Sequence, residues 1–195
     1  YKDIIESTLK NDLSLIIIKK YKKEYLLSHL NNLDLLNEYK EIFLKVLMNF
    51  DIENDILEIE KNLRFNGKIY LNEFYYFKLK SLQKKWQEIC DLTNENFHFF
   101  ESDALFFELL KFLISNFKYK TEKVMIKKEN GKLLFLVDGE EINSLEDKNK
   151  TSEVIDILLD TMPKFVVIQN VAVLSKDTIS VIKKIFREKI TFMMP

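Results

Sequence analysis

The side chains best suited to chemistry in this sequence are two histidines and one cysteine, and they lie far apart. His98 sits among aromatic residues, where it could act as a general base or a pH-dependent switch, but no nucleophile stands at a spacing that implicates it. His29 falls on a polar helix face. Cys90 follows Ile89 on an apolar stripe, which favours a packed thiol over a reactive one. We expect structural roles for all three.

Acidic pairs are the other candidates for a reactive or metal-binding site. They are Glu58/Glu60, Glu140-Glu141 and Glu146-Asp147. Residues adjacent in sequence do not converge on one helix face, and these pairs lie among lysines, so we expect solvated surface. With a single cysteine and no glycine-rich phosphate loop, the sequence predicts no metal, no cofactor and no enzymatic activity.

Lysine-rich segments offer a different kind of chemistry, the binding of anions. Lys19-Lys20 and Lys22-Lys23 form a basic cluster, which we expect to be a solvated helix face. The aromatic run Phe74–Phe77 stands beside Lys78 and Lys80, a pattern able to stack nucleic-acid bases next to a basic groove. The same pattern describes a helix whose aromatic rings pack inward while its lysines reach water. The net charge of −1 argues against binding nucleic acid as a polyelectrolyte.

The elements that would position these residues divide into two kinds. Residues 1–117 carry apolar side chains at three- and four-residue steps, which predicts helices. One long helix is expected from near Tyr70 to Thr93, and another from Ala104 to Phe117 as the centre of the core. Four side chains are expected to be nearly fully buried: Trp86, Leu109, Leu110 and Leu113.

Strand patterns begin after residue 118. Asn130-Gly131 between Lys123–Lys128 and Lys132–Val137 predicts a hairpin, and Asp138-Gly139 a turn into a short strand at Glu141-Ile142. A helix at Ser152–Met162 precedes the continuous apolar run Lys164–Ile168, expected to be a buried strand. A helix from Lys176 to about Glu188 and a strand at Ile190–Met193 complete a parallel β-α-β unit.

Together these patterns predict an α+β or α/β fold. A helical part, residues 1–117, is expected to pack on an α/β part, residues 118–195, in one shared core without a flexible linker. No apolar run, Leu15–Ile18 included, is long enough for a membrane span, and a lone cysteine fits a reducing cytoplasm. Because the first residue is Tyr1 rather than Met, we expect the chain to be a fragment.

Several segments, in order along the chain, resemble the YtxC-like sporulation proteins of endospore-forming, low-G+C bacteria. Residues Asn72–Lys80 are similar to that family's E-G-F-x-x-F-R-L-K helix, and Phe106–Phe112, which contains Lys111, to its F-I-x-L-L-K-Y helix. Pro163–Ile168 is similar to its P-K-x-I-I-I strand. This chain has Glu73 for the family's glycine and Lys78 for its arginine, and it lacks the family's closing cysteines.

The resemblance implies a cytoplasmic, sporulation-associated protein, and it implies no reaction. We therefore expect a protein that acts by binding an unknown protein partner, with Phe74, Lys78, Lys80 and Lys111 as candidate interaction residues. A nucleic-acid-binding module using Phe74–Lys80 is the first alternative. An enzyme with a site near Gln169-Asn170, at the carboxyl end of a parallel strand, is the second.

Overall fold

The computed structural model describes residues 2–32, 37–65, 67–97, 103–146, 151–170, 172–186 and 190–193. Its fold is α+β, as the sequence predicts, with helices concentrated before residue 117 and a mixed five-stranded sheet after it. None of the described helices combines the length and apolar character needed to cross a bilayer.

Helices occupy most of the chain up to Ser115. A π-helical turn, Ile18–Lys22, joins the first two helices without a loop. The helices, in chain order, are α1 (Lys2–Ile17), α2 (Lys23–Leu30), α3 (Asn37–Asn49), α4 (Ile52–Asn62), α5 (Leu71–Lys78), α6 (Lys80–Phe97) and α7 (Asp103–Ser115).

The expectation of one long helix from Tyr70 to Thr93 is wrong, because the chain leaves helical geometry at Leu79 (φ −109°, ψ 32°). The Leu79 amide donates a long bond of 3.4 Å to the carbonyl of Tyr75, and the side-chain amide of Gln83 also donates to that carbonyl, at 2.7 Å. Gln83 thus compensates for the poor backbone bond. Leu79 is fully buried despite the break, so the apolar spacing continues through it and gives no sign of two helices.

The sheet has the strand order β3-β2-β1-β4-β5. The predicted hairpin joins β1 (Thr121–Glu129) to β2 (Lys132–Val137), with positive φ at both Asn130 and Gly131 as a type I′ turn requires. A second turn leads into β3 (Glu140–Glu146), which forms one edge. β4 (Pro163–Ile168) runs parallel to β1, and β5 (Ile190–Phe192) runs parallel to β4 and forms the other edge.

Two helices accompany these strands, α8 (Thr151–Thr161) and α9 (Lys176–Phe186). The order β4, α9, β5 confirms the predicted parallel β-α-β unit. The expected continuous burial of β4 is wrong, since Val166 and Ile168 are buried while Phe165 is 42% exposed. Burial alternates because successive side chains of a strand point to opposite faces of the sheet.

The chain forms two compact units with boundaries other than the expected 117/118 division. The first, the helical unit, contains residues 1–35 and 47–101; the second, the sheet unit, contains residues 36–46 and 102–195. The helix α7 and most of α3 therefore belong with the sheet. Contacts distant in sequence decide this grouping, and they leave no mark in local periodicity.

Each unit has its own set of buried apolar side chains. Trp86 is fully buried in the helical unit together with Ile17, Ile59 and Leu79. In the sheet unit, α7 packs against α9, with Leu110 fully buried and Leu113 nearly so. Leu109 is only half-buried, which corrects the expectation for this residue. It lies one position from Leu110 and so faces about 100° away on the helix.

Candidate functional site

The basic cluster at residues 19–23 does not form a single solvated face. Lys19, Lys20 and Lys23 are exposed, but Lys22 is fully buried. Lys22 ends the π-helical turn, and its position four residues after Ile18 and four before Leu26 aligns it with buried apolar side chains. The expectation of solvation is therefore wrong for Lys22.

Lys22 is held by a network of charged and polar groups from α4, from α6 and from the turn before α4. Its Nζ donates to Oδ2 of Asp55 at 2.7 Å and to the carbonyl oxygen of Phe50 at 2.8 Å. Oδ2 of Asp55 also accepts from Nε1 of Trp86 at 3.1 Å, and Oδ1 of Asp55 accepts from Nζ of Lys85 at 2.8 Å. Lys85 also pairs with Asp51, which precedes α4 in a left-handed conformation (φ 55°). Two positive and two negative charges thus balance inside the helical unit.

Electrostatics in this network differ between its two lysines. Burial lowers the pKa of Lys22 from its ordinary value, and Asp55 offsets only part of that effect. For Lys85 burial also lowers the pKa, but hydrogen bonds to Asp51 and Asp55 outweigh it and raise the pKa overall. Lys22 and Asp55 have side chains only 1% exposed, so no substrate reaches them in this conformation. Their contacts link α4 and α6 to the π-helical turn.

The aromatic run on α5 is divided between the core and the surface. Tyr75 is buried, stacked on Tyr21 at 4.3 Å between ring centroids and on Trp86 at 6.2 Å. Burial raises its pKa to about 12, with smaller effects from neighbouring tyrosines and Glu24. Phe74 is half-buried against the same core. The expectation that the run packs inward therefore holds for these two rings.

The next two rings point outward. Tyr76 is 60% exposed and Phe77 is 70% exposed, and Tyr70, just before α5, is 62% exposed. Lys78 and Lys80, in the same segment, are exposed as well. We call these five residues, Tyr70, Tyr76, Phe77, Lys78 and Lys80, the α5 surface. Tyr76 contacts Tyr75 edge-on at 5.1 Å, so this one ring of the α5 surface rests on the buried stack.

The remaining predicted interaction residue, Lys111, lies in the sheet unit, whereas Phe74, Lys78 and Lys80 lie in the helical unit. Its Nζ is 3.7 Å from Oε2 of Glu108 on the same helix. A pair of this length between exposed groups contributes little to stability.

The residues proposed for an enzymatic site, Gln169 and Asn170, are engaged in local structure. Oε1 of Gln169 accepts a hydrogen bond from the backbone amide of Lys128 at 3.3 Å. The backbone amide of Gln169 donates to the carbonyl of Ile126. Oδ1 of Asn170 accepts from the amide of Ala172 at 2.9 Å. These bonds extend the pairing of β1 with β4 and close the turn that follows β4.

The other reactive side chains also have structural surroundings where they are described. His29 stacks on Tyr25 at 4.6 Å, and its Nδ1 lies 2.9 Å from the Tyr25 carbonyl. Cys90 is buried, and burial, assisted by Asp91, raises its pKa to about 11. His98 lies outside the described residues. Within the described ranges no three His, Cys, Asp or Glu side chains are grouped as a metal site would require.

Two of the residues that matter most for the fold, Lys22 and Asp55, were missed by sequence reasoning. A signal was present for both. Lys22 lies in the apolar series Ile18, Lys22, Leu26, and Asp55 stands four residues before the buried Ile59. A charged residue inside each of two apolar stripes, with opposite signs, is the pattern expected of a buried ion pair.

Comparison with known proteins gives no match. A scan of protein-family models, a search of curated proteins and a search of solved structures each found no significant similarity.

Proposed function

We propose that this protein acts by binding a protein partner through the α5 surface. The observation that carries the proposal is the exposure of three aromatic side chains, Tyr70, Tyr76 and Phe77, each at least 60% exposed, within eight residues. Large aromatic side chains contribute much of the binding energy at protein interfaces. Their exposure in the free chain is unfavourable unless something covers them.

The support of Tyr76 by the core favours the same proposal. Tyr76 rests on the buried Tyr75, which stacks on Tyr21 and Trp86. A ring fixed by its neighbours loses little conformational freedom on binding, so more of its contact energy remains for affinity. Lys78 and Lys80 at the rim favour a partner that carries carboxylates there.

Binding of single-stranded nucleic acid is the second candidate, because lysines beside exposed rings also suit stacked bases. The charges favour a protein. Glu73 is exposed on the same helix, and the net charge of the chain is −1, whereas affinity for nucleic acid depends mainly on neutralising several phosphates.

Two further parts of the proposal rest on sequence. The assignment to sporulation rests on the segments that resemble YtxC-like proteins, and a cytoplasmic location rests on the single free cysteine. A role in binding rather than catalysis is supported by the engagement of Gln169 and Asn170 in backbone hydrogen bonds.

The experiment places a photo-crosslinking amino acid at Phe77 in cells that express the chain, with the same amino acid at Phe112 as a matched control. Phe112 is 64% exposed on α7, in the other unit. We expect a defined crosslinked protein from position 77 that is absent from position 112, and that Tyr76→Ala and Lys78→Glu abolish. Identical products from both positions, or a product unchanged by these variants, would refute the proposal.

Two measurements separate the remaining possibilities. Retention on mixed single-stranded DNA at low salt, lost in Tyr76→Ala, would favour the nucleic-acid function over the protein partner. Deletion of the coding sequence should lower spore yield, and wild type but not Tyr76→Ala/Lys78→Glu should restore it. Normal spore yield after deletion would remove the sporulation assignment and leave the binding proposal to the crosslinking result.

A further inference from the structure

The open edge of the sheet at β5 borders a cleft that the α5 surface does not involve. The cleft, of about 500 Å³, lies in the sheet unit and is lined by residues of α7, α9 and β5: Phe107, Glu108, Ser180, Lys183, Lys184, Ile190 and Phe192. We propose that this edge binds an extended acidic peptide segment of another protein, which adds to the sheet as a further strand beside β5.

Backbone geometry supports strand addition. The amide of Met193 donates to the carbonyl of Ile168 at 3.0 Å, so this residue faces β4. Alternate residues of a strand direct their backbone groups to the same side, and those of Ile190 and Phe192 therefore face away from β4. Among the described strands none lies beyond β5. Unpaired groups of this kind are a template for an added strand.

Apolar side chains beside the β5 edge form the surface on which every second side chain of the peptide would pack. Ile190 and Phe192 lie opposite the buried Val166 and Ile168 in the register of β4 with β5, so all four are on the same face of the sheet. Ile190 and Phe192 are only half-buried. They form, with Phe107, an apolar surface that suits every second side chain of an added strand.

The charges at the cleft specify the chemistry of the peptide. Nζ of Lys183 lies 5.0 Å from the centre of the Phe192 ring, and Nζ of Lys184 lies 4.4 Å from that of Phe107. Both ammonium groups thus stand over the apolar surface, where cation–π contacts hold them in place. Among the described residues that line the cleft, Glu108 is the one carboxylate, and it pairs with Lys111. The cleft is therefore net positive and suits a segment in which carboxylates alternate with apolar side chains.

The experiment measures binding of a fluorescent nonapeptide of alternating glutamate and valine to the full chain by fluorescence polarisation. Two control peptides have lysine in place of glutamate, or N-methyl groups on alternate backbone nitrogens to block strand pairing. We expect both to lose binding. Lys183→Glu/Lys184→Glu should weaken binding by about ten-fold or more, since it places like charges opposite the carboxylates of the peptide.

Matched variants separate this site from the general charge of the chain and from the α5 surface. Lys123→Glu/Lys176→Glu makes the same charge change at exposed positions of the same unit outside the cleft, and should leave affinity unchanged. Tyr76→Ala should also leave it unchanged. Circular dichroism confirms that each variant is folded. Equal binding of the N-methylated or lysine peptide, no binding at millimolar peptide, or equal loss in both charge variants would overturn the proposal. Displacement of the peptide by a tighter-binding oligonucleotide would assign the cleft to nucleic acid instead.

Discussion

Replacing Lys22 by methionine should destabilise the helical unit far more than any substitution of an exposed lysine. Methionine keeps most of the aliphatic stem but removes the ammonium group that binds Asp55 and the Phe50 carbonyl. Asp55 is then left as a buried carboxylate with fewer donors, and the carbonyl loses a hydrogen bond. Removing one partner of a buried ion pair typically costs about 3–5 kcal/mol.

The hydrogen bonds that Asp55 keeps in each variant decide where the loss falls between about 3 and 5 kcal/mol. After Lys22→Met, Asp55 still accepts from Lys85 and Trp86, so we expect a loss of about 3 kcal/mol in the free energy of unfolding. Asp55→Asn removes the carboxylate that both lysines bind, and we expect about 5 kcal/mol. The double variant should lose less than the sum by about 1 kcal/mol or more, because the two groups interact directly.

The pH dependence of the same comparison has a defined sign. Burial lowers the pKa of Lys22 in the folded chain below its ordinary value of 10.5. Between these two pKa values the folded state binds fewer protons than the unfolded state, so stability conferred by Lys22 rises with pH across that interval. The loss caused by Lys22→Met should therefore grow as the pH approaches 10.5 and then level off.

Urea unfolding followed by tryptophan fluorescence measures these losses, since Trp86 is the sole tryptophan and donates to Asp55. The matched control is Lys10→Met, which removes a partly exposed i,i+4 pair with Glu6 in the same unit and should cost about 0.3–0.5 kcal/mol. If Lys22→Met costs no more than Lys10→Met, the network does not stabilise the fold and the reasoning is wrong.

Four other predictions concern single positions. Leu110→Ala should lower the free energy of unfolding, measured by heat or urea, by about 2–5 kcal/mol, while Leu105→Ala on the exposed side of α7 should lower it much less. Similar losses in the two variants would mean that α7 is not the central helix of its core. Lys78→Arg, Lys78→Met and Lys78→Glu should each leave the free energy of unfolding within about 0.5 kcal/mol of wild type, because Lys78 is exposed. Only Lys78→Arg should preserve the crosslink from position 77. A crosslink that survives in Lys78→Met would indicate that the aliphatic stem of the lysine, and not its charge, contacts the partner. Cys90, with a pKa raised by burial to about 11, should react with Ellman's reagent only as the chain opens, and rapid labelling of the folded chain would contradict its burial. Between pH 9.0 and about 11 wild type should lose stability relative to Cys90→Ala, because the unfolded thiol ionises first. Burial raises the pKa of Asp156, Lys45 opposes this effect, and nearby acidic groups add to it, so ionisation disfavours the folded state. Asp156→Asn should therefore raise the melting temperature at neutral pH but not near about pH 3, and equal effects at both would exclude an electrostatic cause.

The candidate site could be located from the sequence but not resolved into its parts. The run Phe74–Phe77 with Lys78 and Lys80 was identified as an aromatic and basic segment. Which rings face the core depends on the stacking of Tyr75 on Tyr21, a residue 54 positions earlier. Lys111 could not be separated from the other candidates, because its membership of the sheet unit comes from contacts of α7 with α9.

The sequence by itself determined the features that depend on neighbouring residues. Helical periodicity before residue 117, the type I′ turn at Asn130-Gly131 and the order strand, helix, strand at the end of the chain all follow from local preferences, and the structure contains each of them. Tertiary structure alone decided the break at Leu79 and the pairing of β1 with β4. The apolar series around Lys22 indicated its burial, but tertiary contacts were needed to make that burial stable. These depend on groups far apart in the chain: a lysine is stable in a core only when a carboxylate such as Asp55, 33 residues away, is brought to its ammonium group.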